Sequence, residues 1–387
     1  MRKVYLDHSA TTPVRKEAAD LAIEYMTDKF GNPSSIHSFG REAKKALEEA
    51  RERLANLIGA NPKEIYFTSG GTESDNIAIL GAAFANSKKG KHIITSAIEH
   101  HAVLDTCKYL EKQGFEVTYL PVDDQGIVNI KELEKAIRPE TILISVMHVN
   151  NEIGTIQDIA SMSKLAKDKG ILFHTDAVQS LGKIPIDVNE LNIDMLTGSG
   201  HKIYGPKGVG ILYIRRGTKI DSIMYGGSQE RKQRPGTENL SSIVGFGLAA
   251  ELAGKEIDEE NKKQTKLRDK LIKGILESIP NTRLNGHHEK RIASNVNVSI
   301  EFIEGESLLL SLDMKGIGAS SGSACTSGSL DPSHVLLAMG LSHEIAHGSL
   351  RMTLGRDTTE EDVDYVLEVL PQVVDRLRAM SPLYNKK

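Results

Sequence analysis

The stretch EIYFTSGGTESDNIAILGAAFANSKK, residues 64–89, changes its character once, at the paired glycines Gly70 and Gly71. Residues 64–71 read as a strand running into a tight turn, and residues 72–89 as the helix that follows. Upstream, EAKKALEEARERLANLIGA (42–60) places apolar residues at 43, 46, 47, 50, 54, 57 and 58, a helical spacing that Gly59 stops. Downstream, HIITS, FEVTYL, TILISVM, ILFHTD, DMLTGS and VGILYI read as further strands. Helical stretches near 101–114, 130–137 and 159–169 separate several of them. Strands alternating with helices predict an α/β fold, a parallel or mixed sheet covered on both faces. Chemistry is then expected at the carboxyl ends of the strands.

The texture changes near residue 255. A charged helical stretch, KEIDEENKKQTKLRDKLIKGILESI, leads away from the alternating region. After it come NVNVSIEF, alternating as a half-buried strand does, then ESLLLSLDMK, a polar loop, SLRMTLG and a closing helix over about 358–380. This predicts a second, α+β domain, which the extended N-terminal segment joins or bridges. Length agrees: 387 residues suggest two or three domains.

Composition excludes several classes. Lys+Arg number 48 against 52 Asp+Glu, a net charge of −4 without a basic stripe, which argues against nucleic acid as an obligatory ligand. MRKVYLDHSATTP has no apolar signal region, and no apolar run approaches a membrane span, so a cytoplasmic protein away from the membrane is expected. Two cysteines, Cys107 and Cys325, are too few for a disulfide framework or a four-cysteine zinc site.

Two motifs invite other readings. HEIAH (343–347) matches the HExxH zinc pattern, with Glu344 as base, and would make a zinc peptidase. It sits just before a probable strand, and its extended form fails at Leu350, so no resident metal is expected. GASSG (318–322) fits a nucleophile elbow around Ser320, but the helix that such an elbow needs does not follow.

Three features suit one cofactor. TGSGHKIYGPKG places Lys202 after a strand among small residues, where a Schiff-base amine could be held; a solvated loop lysine is the plainer reading. FHTDAVQSLGK ends a strand in Asp176, placed either to hold a protonated ring nitrogen or to cap a helix. In FTSGGTESDN, the backbone N–H groups after Gly70 and Gly71 can cradle a phosphate. Lysine, aspartate and cradle together match pyridoxal 5'-phosphate.

At this point the blocks YLDHSATTP, GNPSSIH, FTSGGTESDN, EHHAVLD, HVNNEIGTIQD, HTDAVQSLGK, SGHKIYGPKG, RPGTEN, SGSACTSGSLDPSHVL and GSLRMTLGR resemble the NifS/IscS-type cysteine desulfurases, in family order over nearly the whole chain. The resemblance implies a fold-type I PLP-dependent transferase. Its large domain (15–257) would carry a mainly parallel seven-stranded sheet flanked by helices. Residues 1–14 and 258–387 would form a smaller α+β domain bearing the nucleophilic loop at about 318–332. It also implies a homodimer that takes sulfur from L-cysteine, releases L-alanine and leaves a persulfide on Cys325. Lys202 would bind the cofactor covalently, Asp176 would pair with its ring nitrogen, and His100 would stack on the ring and move protons. Asn151 and Gln179 would bind around the ring oxygen. Gly71, Thr72, Ser199, Gly200 and His201 would hold the phosphate, with Thr237 reaching over from the partner subunit. Arg351 would clamp the substrate carboxylate, with Asn32 nearby.

Cys325 would attack the substrate sulfur and could transiently ligate a cluster shared with a scaffold. Its loop of small residues suits a thiol that must deliver sulfur elsewhere, whereas Cys107, in the amphipathic LDTCKYLEK, reads as helix packing. The chain ends at SPLYNKK, short of the tail through which housekeeping members dock their scaffold. The resemblance implies a sulfur acceptor, such as an iron–sulfur scaffold or one serving tRNA thiolation, and the short end argues against the scaffold but not against the chemistry. The long Cys325 loop argues against a selenocysteine lyase or an aminotransferase, the same-fold alternatives. A non-catalytic sulfur carrier is the remaining alternative.

Overall fold

The computed structural model describes residues 2–321, 332–382 and 384. The elements run in the order β1 (Val4–Tyr5), α1 (Lys16–Thr27), α2 (Ser38–Leu57), β2 (Ile65–Thr68), α3 (Gly71–Asn86), β3 (His92–Ser96), α4 (His101–Lys112), β4 (Glu116–Leu120), α5 (Ile130–Ala136), β5 (Thr141–Ser145), α6 (Ile159–Asp168), β6 (Leu172–Asp176), β7 (Met195–Ser199) and β8 (Gly210–Ile214). There follow α7 (Leu240–Ser278), β9 (Thr282–Leu284), β10 (Asn295–Ile300), α8 (Gly305–Asp313), β11 (Ile317–Gly318), α9 (His334–Ala338), α10 (His343–His347), β12 (Ser349–Thr353) and α11 (Glu360–Met380).

Among the described residues, seven strands form one sheet in the order β2-β8-β7-β6-β5-β3-β4. The central pairs are parallel, while β8 runs antiparallel to both neighbours. The sheet is therefore the mainly parallel one expected, and its inner strands are buried throughout, as helices on both faces require. A helix that the sequence reading passed over, α1, packs against α7. A buried bidentate ion pair, Arg51 to Glu230 at 2.7 and 2.8 Å, ties α2 to the loop before α7, and Glu230 also accepts from the Phe67 N–H.

A second core gathers Val4, Leu6, Leu267, Leu271, Ile275, Val296, Val298, Leu350, Met352 and the inner face of α11. The charged stretch near 255 is the second half of a single 39-residue helix, α7. Its first turns bury Leu240, Ile243, Val244 and Phe246 in the large core, and its last turns enter the second core. The N-terminal segment does bridge: β1 pairs with β11, and beyond it Thr12 N–H donates to the His201 carbonyl.

One expectation needs correction. NVNVSIEF was read as a half-buried strand, yet every residue of β10 is buried. Its polar face is covered by the segment around Glu152: Asn295 and Asn297 both donate to the Glu152 carbonyl at 3.0 Å, and Asn285 bonds Asn297 and Ser299. Hydrogen-bonded partners replace the solvent that the alternation suggested.

Candidate active site

A cavity of about 300 Å³ opens at the carboxyl ends of β6 and β7. Gly71 and Thr72 line it from the start of α3, His100 from the start of α4, and Asn151 from the loop beyond β5. Asp176, Gln179, Ser199, His201, Lys202 and Arg351 complete the predicted set on its walls. Gly200 is buried just behind, between Ser199 and His201.

The cradle forms because Gly70 takes φ 157°, ψ −174°, a backbone region that L side chains rarely enter, and turns the chain from β2 into α3. Gly210 of β8 lets that turn come close, since a Cβ there would stand 2.7 Å from the Gly70 Cα. The first N–H groups of α3 have no acceptors within their own helix, and the positive end of its dipole faces the same way.

Asp176 ends β6, and no described helix begins there for it to cap. Its Oδ1 accepts from the Val178 N–H at 2.8 Å, which leaves the second oxygen for a ligand in the cavity. Burial raises its carboxyl, while the Val178 N–H and Lys202 pull the other way. Lys202 Nζ donates to the Ser9 and Ala10 carbonyls at 2.5 and 2.7 Å, and Gln179 Nε2 donates to the same Ser9 carbonyl at 3.0 Å. The N-terminal segment thus positions the lysine, a role that sequence spacing gave no hint of.

His100 caps α4: its Nδ1 accepts from the Ala102 N–H at 3.1 Å. Burial lowers its imidazole, so the ring is neutral at neutral pH and carries its proton on Nε2. His201, hydrogen-bonded to Thr11 at 3.1 Å, is pushed down to about 4 by burial.

Arg351 on β12 is 2 % exposed. Its Nη2 bonds Asp7 at 2.9 Å and its Nη1 the Asn151 carbonyl at 3.1 Å, while its Nε is buried with no hydrogen-bond partner among the described residues. An orphaned guanidinium donor at a cavity wall fits an incoming carboxylate. The donor set also fits pyridoxal phosphate: a lysine amine, a buried carboxylate with one uncommitted oxygen, a neutral histidine and a helix N-terminus.

Two predicted residues lie elsewhere. Thr237 and Asn32 are exposed and outside the cavity walls; the Asn32 side chain accepts from the Ser34 N–H at 2.9 Å. Cys325 lies outside the described residues. The chain on either side of 322–331 is nevertheless fixed at the cavity rim. Ser320 exchanges backbone hydrogen bonds with Arg351 at 3.1 and 2.7 Å, and Ser333 Oγ bonds the Glu152 carboxyl. HEIAH forms the short helix α10, with both histidines exposed. Residues that sequence reasoning missed are Ser9, Ala10, Asp75, Met147, Val149 and Val178. The first two fall inside the quoted block YLDHSATTP, which marked the segment without giving a role.

Residues 4–366 match the family model Aminotransferase class-V. The chain is 62% identical over 386 residues to "Cysteine desulfurase IscS" of Methanosarcina thermophila, covering 100% of this chain and 95% of that protein. Among solved structures, a "NIFS-LIKE PROTEIN" superposes with a TM-score of 0.92 at 41% identity, covering 97% of this chain and 100% of that one. "SspA in complex with cysteine" superposes with a TM-score of 0.81 at 39% identity, covering 91% and 99%. The chain belongs to the class-V aminotransferase family, among its cysteine desulfurases.

Proposed function

We propose that this chain is a pyridoxal-phosphate-dependent cysteine desulfurase whose reaction centre is the cavity around Lys202. The convergence of Lys202, Asp176 and the α3 N-terminus on that one cavity carries the reading. When bound, the cofactor supplies an electron sink for the substrate's α-carbon.

The chain's own groups do the rest. Lys202 anchors the cofactor, Asp176 faces its ring nitrogen, and Asn151 and Gln179 bind around its ring oxygen. Gly71, Thr72, Ser199, Gly200 and His201 hold the phosphate. His100 would stack on the ring and, from Nε2, would give and take the proton that moves during carbon–sulfur cleavage. Arg351 receives the carboxylate of L-cysteine, a ligand that the solved relative in complex with cysteine also takes. The Cys325 thiolate attacks the substrate sulfur: the new S–S bond leaves a persulfide, the carbon–sulfur pair goes to carbon, and protonation there yields alanine. Ser320, paired with Arg351, and Ser333, bonded to Glu152, support this reading from the described chain on either side.

We further propose a homodimer. Ile23, Met26, Phe30, Ile36 and Phe39 are exposed apolar residues on and around α1 and α2, and Asn32 sits among them. A patch of this kind seeks a partner surface, and a second subunit would bring Thr237 to the phosphate. We place the two-domain division at 15–257 against 1–14 plus 258–387, the two cores supporting it. A persulfide-forming thiol suits a reducing cytoplasm, and a sulfur-acceptor protein is the implied partner. No described helix is long and apolar enough to cross a membrane.

Borohydride reduction of the cofactor-loaded protein, followed by peptide mapping, tests the assignment. The cofactor's mass on Lys202 is the expected result; its attachment to another lysine overturns it.

A further inference from the structure

The roles above leave Asp75 unused, although it lines the cavity. It is 1 % exposed on α3, and among the described residues its Oδ1 has no hydrogen-bond partner, standing 3.7 Å from His174 Nε2. The groups facing it lie on one face of the sheet. His174 and Asp176 project from β6, two residues apart, and Thr197 of β7 is in register with Asp176. Thr197 Oγ1 bonds His174 Nε2 at 3.1 Å, and His174 Nδ1 bonds Ser145 Oγ at 2.9 Å.

The two aspartates meet different fields. The Val178 N–H, which donates to Asp176 at 2.8 Å, and the Lys202 ammonium favour the charge on Asp176. Asp75 is raised well above the usual carboxylate range, first by burial, then by the like charges of Asp176 and Glu99, with the Thr197 hydroxyl acting against them. Neighbouring buried carboxylates do not both ionise, and the proton settles on the one with the poorer surroundings. An ionised Asp75 would also leave a charged oxygen buried without a donor.

We propose that Asp75 is a positioning residue for the cofactor: it keeps the proton of this buried pair, so that Asp176 meets the ring nitrogen as a full anion. A protonated Asp75 donates toward the Thr197 hydroxyl, Thr197 donates to His174 Nε2, and the His174 Nδ1–H donates to Ser145, so the relay runs in one direction. Burial pushes His174 down to about 3, which keeps that ring neutral.

The inference rests on the cavity being the cofactor site, and infrared difference spectroscopy on cofactor-free protein separates the two. At neutral pH the wild type should show a carboxylic-acid carbonyl band that Asp75→Asn removes. The same band should persist in a Glu99→Gln, Glu152→Gln background, which reads Asp75 without altering it. Asp75→Asn imitates the neutral acid, so it should bind pyridoxal phosphate at neutral pH within about threefold of wild type. Wild-type affinity should fall as alkaline pH ionises Asp75, and that fall should vanish in the variant. Absence of the band, or a loss of affinity beyond about tenfold in Asp75→Asn at neutral pH, overturns the role of Asp75. A protein that shows the band yet takes up no cofactor overturns the site reading instead.

Discussion

Arg351 shows how much one side chain depends on neighbours far away in sequence. Asp7 and the Asn151 carbonyl hold two of its nitrogens, and the third is buried without a partner among the described residues. A lysine there keeps the charge and loses the planar fork. Arg351→Lys should therefore raise KM for L-cysteine by roughly 10- to 100-fold with a smaller change in kcat, measured by alanine release. The reverse pattern, kcat lost at unchanged KM, contradicts a carboxylate-binding role. The two thiols divide in the same local terms. Cys107 is fully buried in α4 and burial pushes it up to about 12, so at neutral pH it is no nucleophile. Its packing was legible from the amphipathic helix around it. The need for Ser9 and Ala10 under Lys202 was not, because their carbonyls act through backbone geometry that no residue type announces.

At the scale of elements, periodicity found the strands and helices that build the cavity, from β2 and α3 through β7. It misjudged β10, because Asn295 and Asn297 look like solvent-facing residues while their partner, the Glu152 carbonyl, comes from another part of the chain. It found α7 only from about residue 255, where the charge density rises, although the helix begins at Leu240. The turn between β2 and α3 is the proposed cradle for the cofactor's phosphate. Gly70→Ala adds a Cβ that meets open space but puts an L residue at φ 157°. The variant should lose about 1–3 kcal/mol of stability in urea unfolding and bind pyridoxal phosphate more weakly. Unchanged stability and affinity would mean that the turn does not need glycine.

Across the whole molecule, the site sits among carboxylates that folding keeps from ionising. Burial raises Glu99 to about 8 and Glu152 to about 7, from an ordinary value of 4.5. A carboxyl raised in the folded state binds its proton more tightly there than in the unfolded chain. Its contribution is fully present below about 4.5 and is lost as pH rises through about 8 for Glu99. Glu99→Gln should flatten the fall in stability between those two pH values, read as urea midpoints across the range. A variant with the same slope as wild type would show that Glu99 is not the group responsible.

One measurement bears on all three scales: the loaded protein, given one equivalent of L-cysteine without any acceptor, then analysed for alanine and by peptide mass. The account predicts about one alanine per chain and a mass gain of one sulfur atom on the peptide carrying Cys325, with none on Cys107. In Cys325→Ser the cofactor band should remain while the sulfur gain disappears. Sulfur carried by Cys107, or alanine released undiminished by Cys325→Ser, would contradict it.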